Sequence, residues 1–103
     1  MMPYLIQILI PVYDNSGQRF PKEHYDKVRT KLTQALGGLT AFTRAPAEGL
    51  WDTGGAVKRD DIIVVEVMTD TLDLSWWREY RIELEQLFEQ DEMVLRAQTY
   101  DTV

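Results

Sequence analysis

The segment that most constrains the fold is an apolar run in the middle of the chain, Asp61 to Asp70, with the sequence DIIVVEVMTD. A strand with one face in water alternates apolar and polar residues, whereas this run is β-branched and apolar on both faces. It predicts a strand at the centre of a sheet, covered at least in part on both sides. Glu66 is the single charge inside it, on the same face as Ile62, Val64 and Met68.

A second run of the same kind, Tyr4 to Ile10, lies near the start of the chain. It is also apolar on both faces, and Gln7 is the one polar residue on its second face, between Leu5 and Leu9. This pattern predicts a second central strand, adjacent to the first one. Pro11 is predicted to end it, because proline cannot donate to the hydrogen-bond ladder.

Two further segments repeat apolar residues at steps of three and four, which predicts two amphipathic helices. The first begins near Pro21 and ends at Gly37-Gly38, where glycine adopts the left-handed cap conformation at low cost. The second follows Asp70, with Asp73 or Ser75 as its N-cap. Weaker strands are predicted at 39–44 and 93–100, and a hairpin with a glycine turn at 50–59.

The predicted order of elements is strand, helix, strand, strand, helix, strand. This order is typical of a ferredoxin-like α+β sandwich, in which a four-stranded antiparallel sheet carries both helices on one face. Its first and third strands are central, and these are the two strands that are apolar on both sides. We therefore expect residues 1–103 to form a single ferredoxin-like domain.

Charge and composition exclude several classes of function. The chain has a net charge of −6, which argues against nucleic acid or an anionic membrane as a partner. It has no cysteine and one histidine, so we predict no metal site and no cofactor. No segment resembles a targeting sequence or a membrane span, which favours a cytoplasmic protein.

The sheet face without helices is the predicted functional surface. Which residues of the second strand lie on this face depends on the assumption that Leu39 and Ala41 point toward the helices. For the last strand the corresponding assumption is that Leu95 and Ala97 do so. A shift of one residue would reverse either assignment. The face is apolar, and the candidate ligand-binding residues set into it are Gln7, Arg44, Glu66, Arg96 and Gln98.

Such a face could be exposed to solvent, pack on the sheet of another subunit, or line a ligand pocket in that shared interior. Monomers rarely expose so much contiguous apolar surface. A homo-oligomer, in its simplest form a dimer, is therefore the predicted partner, with a small-molecule ligand as a further one. These considerations favour a homo-oligomeric ligand-binding or interaction module.

An interaction module and an enzyme differ in the role that each would give to Glu66. A buried carboxylate without a partner is costly, so Arg44 and Arg96 are its predicted partners. The favoured interpretation is an ion pair that tunes the interface. The alternative is a small cofactor-free enzyme, with Glu66 as the catalytic proton carrier and the arginines holding a carboxylate or enolate.

Two other features are predicted to be solvated. His24 lies in the first turn of the first helix, away from the apolar stripe, and is expected to be a surface histidine with a general base as the minority interpretation. An acidic run near the end of the second helix is expected to face water rather than bind a cation. Its members are Glu85, Glu89, Asp91 and Glu92.

Several motifs resemble those of a group of small bacterial proteins of unknown function. The motifs are Gly38-Leu39-Thr40, Gly49-Leu50-Trp51, the third strand from Asp61 to Val67, and Phe88 to Arg96. This resemblance implies a ferredoxin-like fold and no established activity. More distantly, the architecture is similar to that of dimeric α+β-barrel proteins, which include small monooxygenases and isomerases. The histidines that such enzymes often place in the barrel are absent here, and the analogy concerns the fold.

Overall fold

The computed structural model describes residues 3–36, 40–45 and 62–103, with the backbone alone described over 40–45. The secondary-structure elements are β1 Tyr4–Pro11, α1 Lys22–Leu36, β2 Thr40–Ala45, β3 Ile62–Thr69, α2 Leu74–Leu87 and β4 Val94–Thr99. The predicted α+β class, with two helices and an antiparallel sheet, is confirmed over these residues. The predicted hairpin at 50–59 lies outside the described residues.

The two apolar runs form the centre of the sheet, as predicted. The strand order is β2-β3-β1-β4, and every neighbouring pair is antiparallel. The register places Gln7 of β1 opposite Glu66 of β3 on one side and opposite Arg96 of β4 on the other. β1 extends one residue further than predicted, because Pro11 still lies opposite Ile62 as its last residue.

The core lies between one sheet face and both helices. Val65 and Val67 of β3 are fully buried, and α1 and α2 contribute to the same cluster of side chains. The buried members from β1 and the helices are Ile6, Ile8, Ile10, Val28, Leu32, Trp77, Tyr80 and Leu84. Both helices therefore cover the same face of the sheet, and the period-two alternation of the strands sends the remaining side chains to the opposite face.

Hydrogen bonds define both ends of α2. Asp73 is the N-cap, and its side chain accepts a hydrogen bond from the Trp76 backbone N–H at 3.2 Å. At the other end Glu89 has a φ of 53°, a left-handed conformation that glycine usually occupies. The Gln90 N–H then bonds back to the Glu85 carbonyl at 2.9 Å, which closes the helix.

One member of the acidic run has a structural role that the sequence did not predict. The Glu85 carboxylate accepts a hydrogen bond from the Met93 backbone N–H at 3.0 Å, and its side chain is 19% exposed. The prediction of a fully solvated run is therefore wrong at Glu85. This bond fixes the chain directly before β4, the strand that carries Arg96.

The register of β2 differs by one residue from the one assumed in the sequence analysis. Ala41 lies opposite Glu66, and Arg44 lies opposite Ile63. Paired residues of an antiparallel ladder share a face. The assumption that placed Arg44 on the face of Glu66 is therefore wrong, and Arg44 occupies a register position of the helix-covered face. A shift of one residue has this effect because side chains alternate with a period of two.

Within the part of the chain that the structure describes, no helix is long and apolar enough to cross a membrane.

Candidate functional site

We call the sheet surface opposite the two described helices, α1 and α2, the helix-free face. Its described members are Leu5, Gln7 and Leu9 of β1, Ile62, Val64, Glu66 and Met68 of β3, and Val94, Arg96 and Gln98 of β4. Met68 is 41% exposed and Val94 is 51% exposed, whereas the apolar side chains nearer the middle are half-buried. The face therefore presents apolar side chains that are still accessible to a partner.

Three polar side chains form a continuous row across this face, which we call the polar row. Gln7 Nε2 donates a hydrogen bond to Glu66 Oε2 at 3.0 Å. Arg96 Nε donates to Gln7 Oε1 at 2.8 Å. Glu66 and Gln7 are half-buried, and Arg96 is exposed. The row therefore has an acidic end on β3, a neutral centre on β1 and a basic end on β4.

A glutamine suits the centre of this row because its amide both donates and accepts hydrogen bonds. The Gln7 amide directs its nitrogen at the carboxylate and its oxygen at the guanidinium. The reverse orientation would set oxygen against oxygen and N–H against N–H. The two charges thus fix the amide orientation. The sequence indicates Gln7 as a candidate but not its bridging role, which depends on the register of three strands.

The link between Glu66 and Arg96 is indirect. β3 and β4 are separated by β1, and neighbouring strands lie about 4.8 Å apart, so the two backbones are about 10 Å apart. The predicted partnership of Glu66 with Arg96 is therefore relayed through Gln7. Hydrogen bonds to charged groups are stronger than neutral ones, so the relay holds both charged side chains in defined positions.

The chemistry available at the two ends differs. Arg96 has five N–H donors in a planar fork, of which Nε–H is engaged by Gln7, and its exposure makes it a contact for a carboxylate or phosphate. Glu66 is a proton acceptor held in a half-buried, largely apolar setting. The row can therefore bind an anion at one end and accept a hydrogen bond or a proton at the other.

The remaining predicted site residues lie apart from the row. Gln98 is on the helix-free face opposite Leu5, two residues beyond Arg96, and it is exposed. Arg44 is opposite Ile63, at a register position of the other face. The structure thus brings together Gln7, Glu66 and Arg96, places Gln98 on the same surface, and separates Arg44 from them.

His24 is not a solvated surface residue, so that prediction is wrong. Its ring packs between Phe20, at a centroid distance of 5.7 Å, and Phe88, at 5.5 Å. Its Nδ1 is buried without a hydrogen-bond partner among the described residues. The helical periodicity missed this contact because Phe20 precedes the helix and Phe88 follows α2. His24 therefore belongs to an aromatic cluster beneath the start of α1.

A groove of about 340 Å³ between α1 and α2 is lined by Lys27, Lys31, Tyr80 and Glu83, among others. Burial, and then the nearby Glu83 carboxylate, raise the pKa of the Tyr80 hydroxyl above its ordinary value. Tyr80 therefore stays protonated and adds no charge to the groove at neutral pH. Over the described ranges, no three histidine, cysteine or carboxylate side chains are grouped so that they could hold a metal ion.

Comparisons with known proteins identify no family for this chain. No protein-family model matches it, and no curated protein matches it. Among solved structures it is similar to a Bacillus cereus protein related to NIF3, with a TM-score of 0.49 and 15% sequence identity. The match covers 98% of this chain and 26% of that protein, so the chain spans about a quarter of its length. A similarity of this degree supports no functional argument, and the resemblance to small bacterial proteins of unknown function stays a prediction.

Proposed function

We propose that the chain is a ferredoxin-like interaction module that associates with a second copy of itself through the helix-free face. The observation that carries this proposal is the polar row, because its two ends have opposite charge and it lies within an accessible apolar surface. The strand order and the placement of both helices on one sheet face support the ferredoxin-like assignment.

The polar row is complementary to itself. A two-fold interface uses the same patch on both subunits, so residue i contacts j and j contacts i. Two copies with their rows antiparallel bring Glu66 of each copy to Arg96 of the other. The acidic end then gains a direct cationic partner in addition to Gln7, and the exposed guanidinium gains an acceptor. Charge complementarity of this kind fixes the register of an interface.

The apolar residues around the row supply the driving force. Met68 and Val94 are the most exposed apolar members of the face, and the half-buried ones lie between them. Their burial against a second sheet removes apolar area from water, which is favourable by about 25 cal/mol per Å².

The oligomeric state tests the proposal directly. Sedimentation velocity at micromolar concentration is expected to give a dimer or a larger closed assembly of the 12.0 kDa chain. A matched pair of variants locates the interface. Val94→Lys on the helix-free face should shift the equilibrium toward monomer, whereas Ile82→Lys on the exposed side of α2, at a similarly exposed position, should not. A wild-type monomer at this concentration would contradict the proposal.

The alternative function is a cofactor-free enzyme that uses Glu66 as its proton carrier. The observation in its favour is a carboxylate held half-buried in an apolar face beside an arginine that can bind an anion. The register of β2 removes Arg44 from this constellation, which leaves one arginine where the alternative had two.

Glu66→Gln distinguishes the two functions. The substitution keeps the shape of the side chain but replaces a charge-assisted bond to Gln7 with a neutral one, which is weaker by about 1 kcal/mol. If Glu66 is structural, we expect a melting temperature lower by about 4–8 °C at a fixed protein concentration. Glu79→Gln, at an exposed position of α2, is the control and should leave the melting temperature nearly unchanged. A Glu66→Gln protein more stable than wild type would instead favour the enzyme, because catalytic groups are often held at a cost in stability.

A further inference from the structure

A second surface carries chemistry that the polar row does not use. A cavity of about 300 Å³ lies where the end of β1, the start of α1 and the start of β3 meet. It is lined by Val12, Arg19, Phe20, Lys22, Tyr25 and Ile63. Its volume is at the lower end of the range for small-molecule sites. The lining combines two cations with two aromatic rings and two aliphatic side chains.

The charge of this lining is opposite to that of the chain. The protein carries a net charge of −6, yet among the described residues of the lining the charged ones are Arg19 and Lys22, and both are basic. Both line an apolar depression, and low-dielectric walls concentrate the local field of charges beside them. Such an arrangement favours an anion and disfavours a cation.

Arg19 is held in place by the turn that precedes it. Its guanidinium lies over the Tyr13 ring at 5.7 Å from the centroid, and Tyr13 and Arg19 form a β-bridge. Inside the turn, one oxygen of the Asp14 carboxylate accepts hydrogen bonds from the Ser16 N–H, the Ser16 hydroxyl and the Gln18 N–H, each at 2.9 Å. These bonds, with that of the Gln18 N–H foremost, hold the pKa of Asp14 below its ordinary value. The turn is therefore closed at neutral pH, and Arg19 is preorganised.

The aromatic walls are fixed as well. The Tyr25 hydroxyl donates to the Pro11 carbonyl at 2.9 Å, which ties α1 to the end of β1. Phe20 is 8% exposed and packs edge-on against Phe88 at 5.1 Å. Both rings are therefore held in place before a ligand enters, and preorganised sites lose less affinity to ordering.

We propose that this cavity binds a small organic anion, with its carboxylate or phosphate group between Arg19 and Lys22 and its flat apolar body against Phe20 and Tyr25. Arginine pairs with either anion through its planar fork, and lysine adds a point charge. The volume limits the ligand to about one ring or a short chain. This site is separate from the polar row, so it is independent of the proposed self-association.

A titration followed by ¹⁵N–¹H correlation spectra tests the proposal with three probes that share a phenyl ring. Benzoate and phenyl phosphate carry the two anionic groups, and benzamide is the neutral counterpart of benzoate. We expect both anions to shift amide signals between residues 19 and 25 with saturation, and benzamide to bind at least about tenfold more weakly, since hydrogen bonds to a charged group are stronger than those to a neutral one. The tighter of the two anions identifies the preferred group.

Charge-removing variants complete the test. Arg19→Gln and Lys22→Gln should each weaken benzoate binding by about tenfold or more. Lys27→Gln, on the same helix but lining the groove between the helices, should change it less than about twofold, as for a surface charge beyond the cavity. Thermal melts verify that each variant is folded. Equal binding of benzamide and benzoate, unchanged binding by Arg19→Gln, or no shifts up to about 10 mM probe would overturn the proposal.

Discussion

Val65→Asp is expected to abolish folding, the largest effect we predict for a single substitution. Val65 is fully buried in β3, beneath both helices and opposite Ile8 of the neighbouring central strand. A carboxylate at this position would lie in the apolar core without a partner, at a cost of several kcal/mol even if it is protonated. The whole stability of a small domain is about 5–15 kcal/mol, so this loss removes most or all of it.

The measurement is circular dichroism with thermal and urea unfolding. Two further variants provide reference values for the loss of stability. Val65→Ala should fold but lose about 1–3 kcal/mol, from reduced burial and from the cavity that remains. Val94→Asp makes the same chemical change at a valine that is 51% exposed, and it should still fold. A Val65→Asp protein that melts cooperatively near the wild-type temperature would show that this face of β3 is not the core.

The position of Val65 could be predicted because the central strands carry a redundant pattern. Residues 62–69 and 4–11 are apolar on both faces. This pattern predicts a central position in the sheet for each strand, whichever residues pair between them. Val65 and Val67 are buried, and Glu66 between them points to the other face, as alternation requires. The cap could be narrowed to Asp73 or Ser75, because both short side chains precede an apolar stripe at helical spacing, and the structure has Asp73.

For the edge strand β2, the face that points toward the helices could not be predicted from the sequence. Its sequence TAFTRA has no strict alternation, so either face could be assigned to the helices. The register that decides it depends on pairing with β3, a long-range contact that the local pattern does not contain. Arg44 was therefore assigned to the wrong face, while Arg96, on a strand with clearer alternation, was assigned correctly.

The candidate site required the same long-range information. Gln7 and Glu66 each appear in the sequence as a lone polar residue inside an apolar run, which indicates that they matter but not that they meet. Only the register of three strands places Gln7 between Glu66 and Arg96. The burial of His24 could not be predicted for a similar reason. Its partner Phe88 lies far from it in the sequence, and its partner Phe20 precedes the helix.

Reversing the charge at either end of the polar row is expected to weaken self-association by about a thousandfold or more, because a two-fold dimer contains the Glu66–Arg96 pair twice. Arg96→Glu would place two carboxylates opposite each other in the proposed antiparallel arrangement, and Glu66→Arg would place two guanidiniums opposite each other. Loss of one partner from a close interfacial charge pair costs about 2–5 kcal/mol, and juxtaposed like charges add to it. Sedimentation over a range of concentrations measures the change, and circular dichroism verifies the fold of each variant.

The double variant Glu66→Arg/Arg96→Glu distinguishes complementarity from simple damage. Inside each chain, the Gln7 amide needs only to rotate by half a turn, because its nitrogen then faces the new carboxylate at position 96 and its oxygen faces the new guanidinium at position 66. Between chains, opposite charges again face each other at both ends of the row. We therefore expect the double variant to recover association to within about tenfold of wild type, although each single variant is close to monomeric. If the double variant is as weak as the single ones, the two ends do not meet across the interface, and the antiparallel arrangement is wrong. If the single variants associate as wild type does, the polar row lies outside the interface altogether.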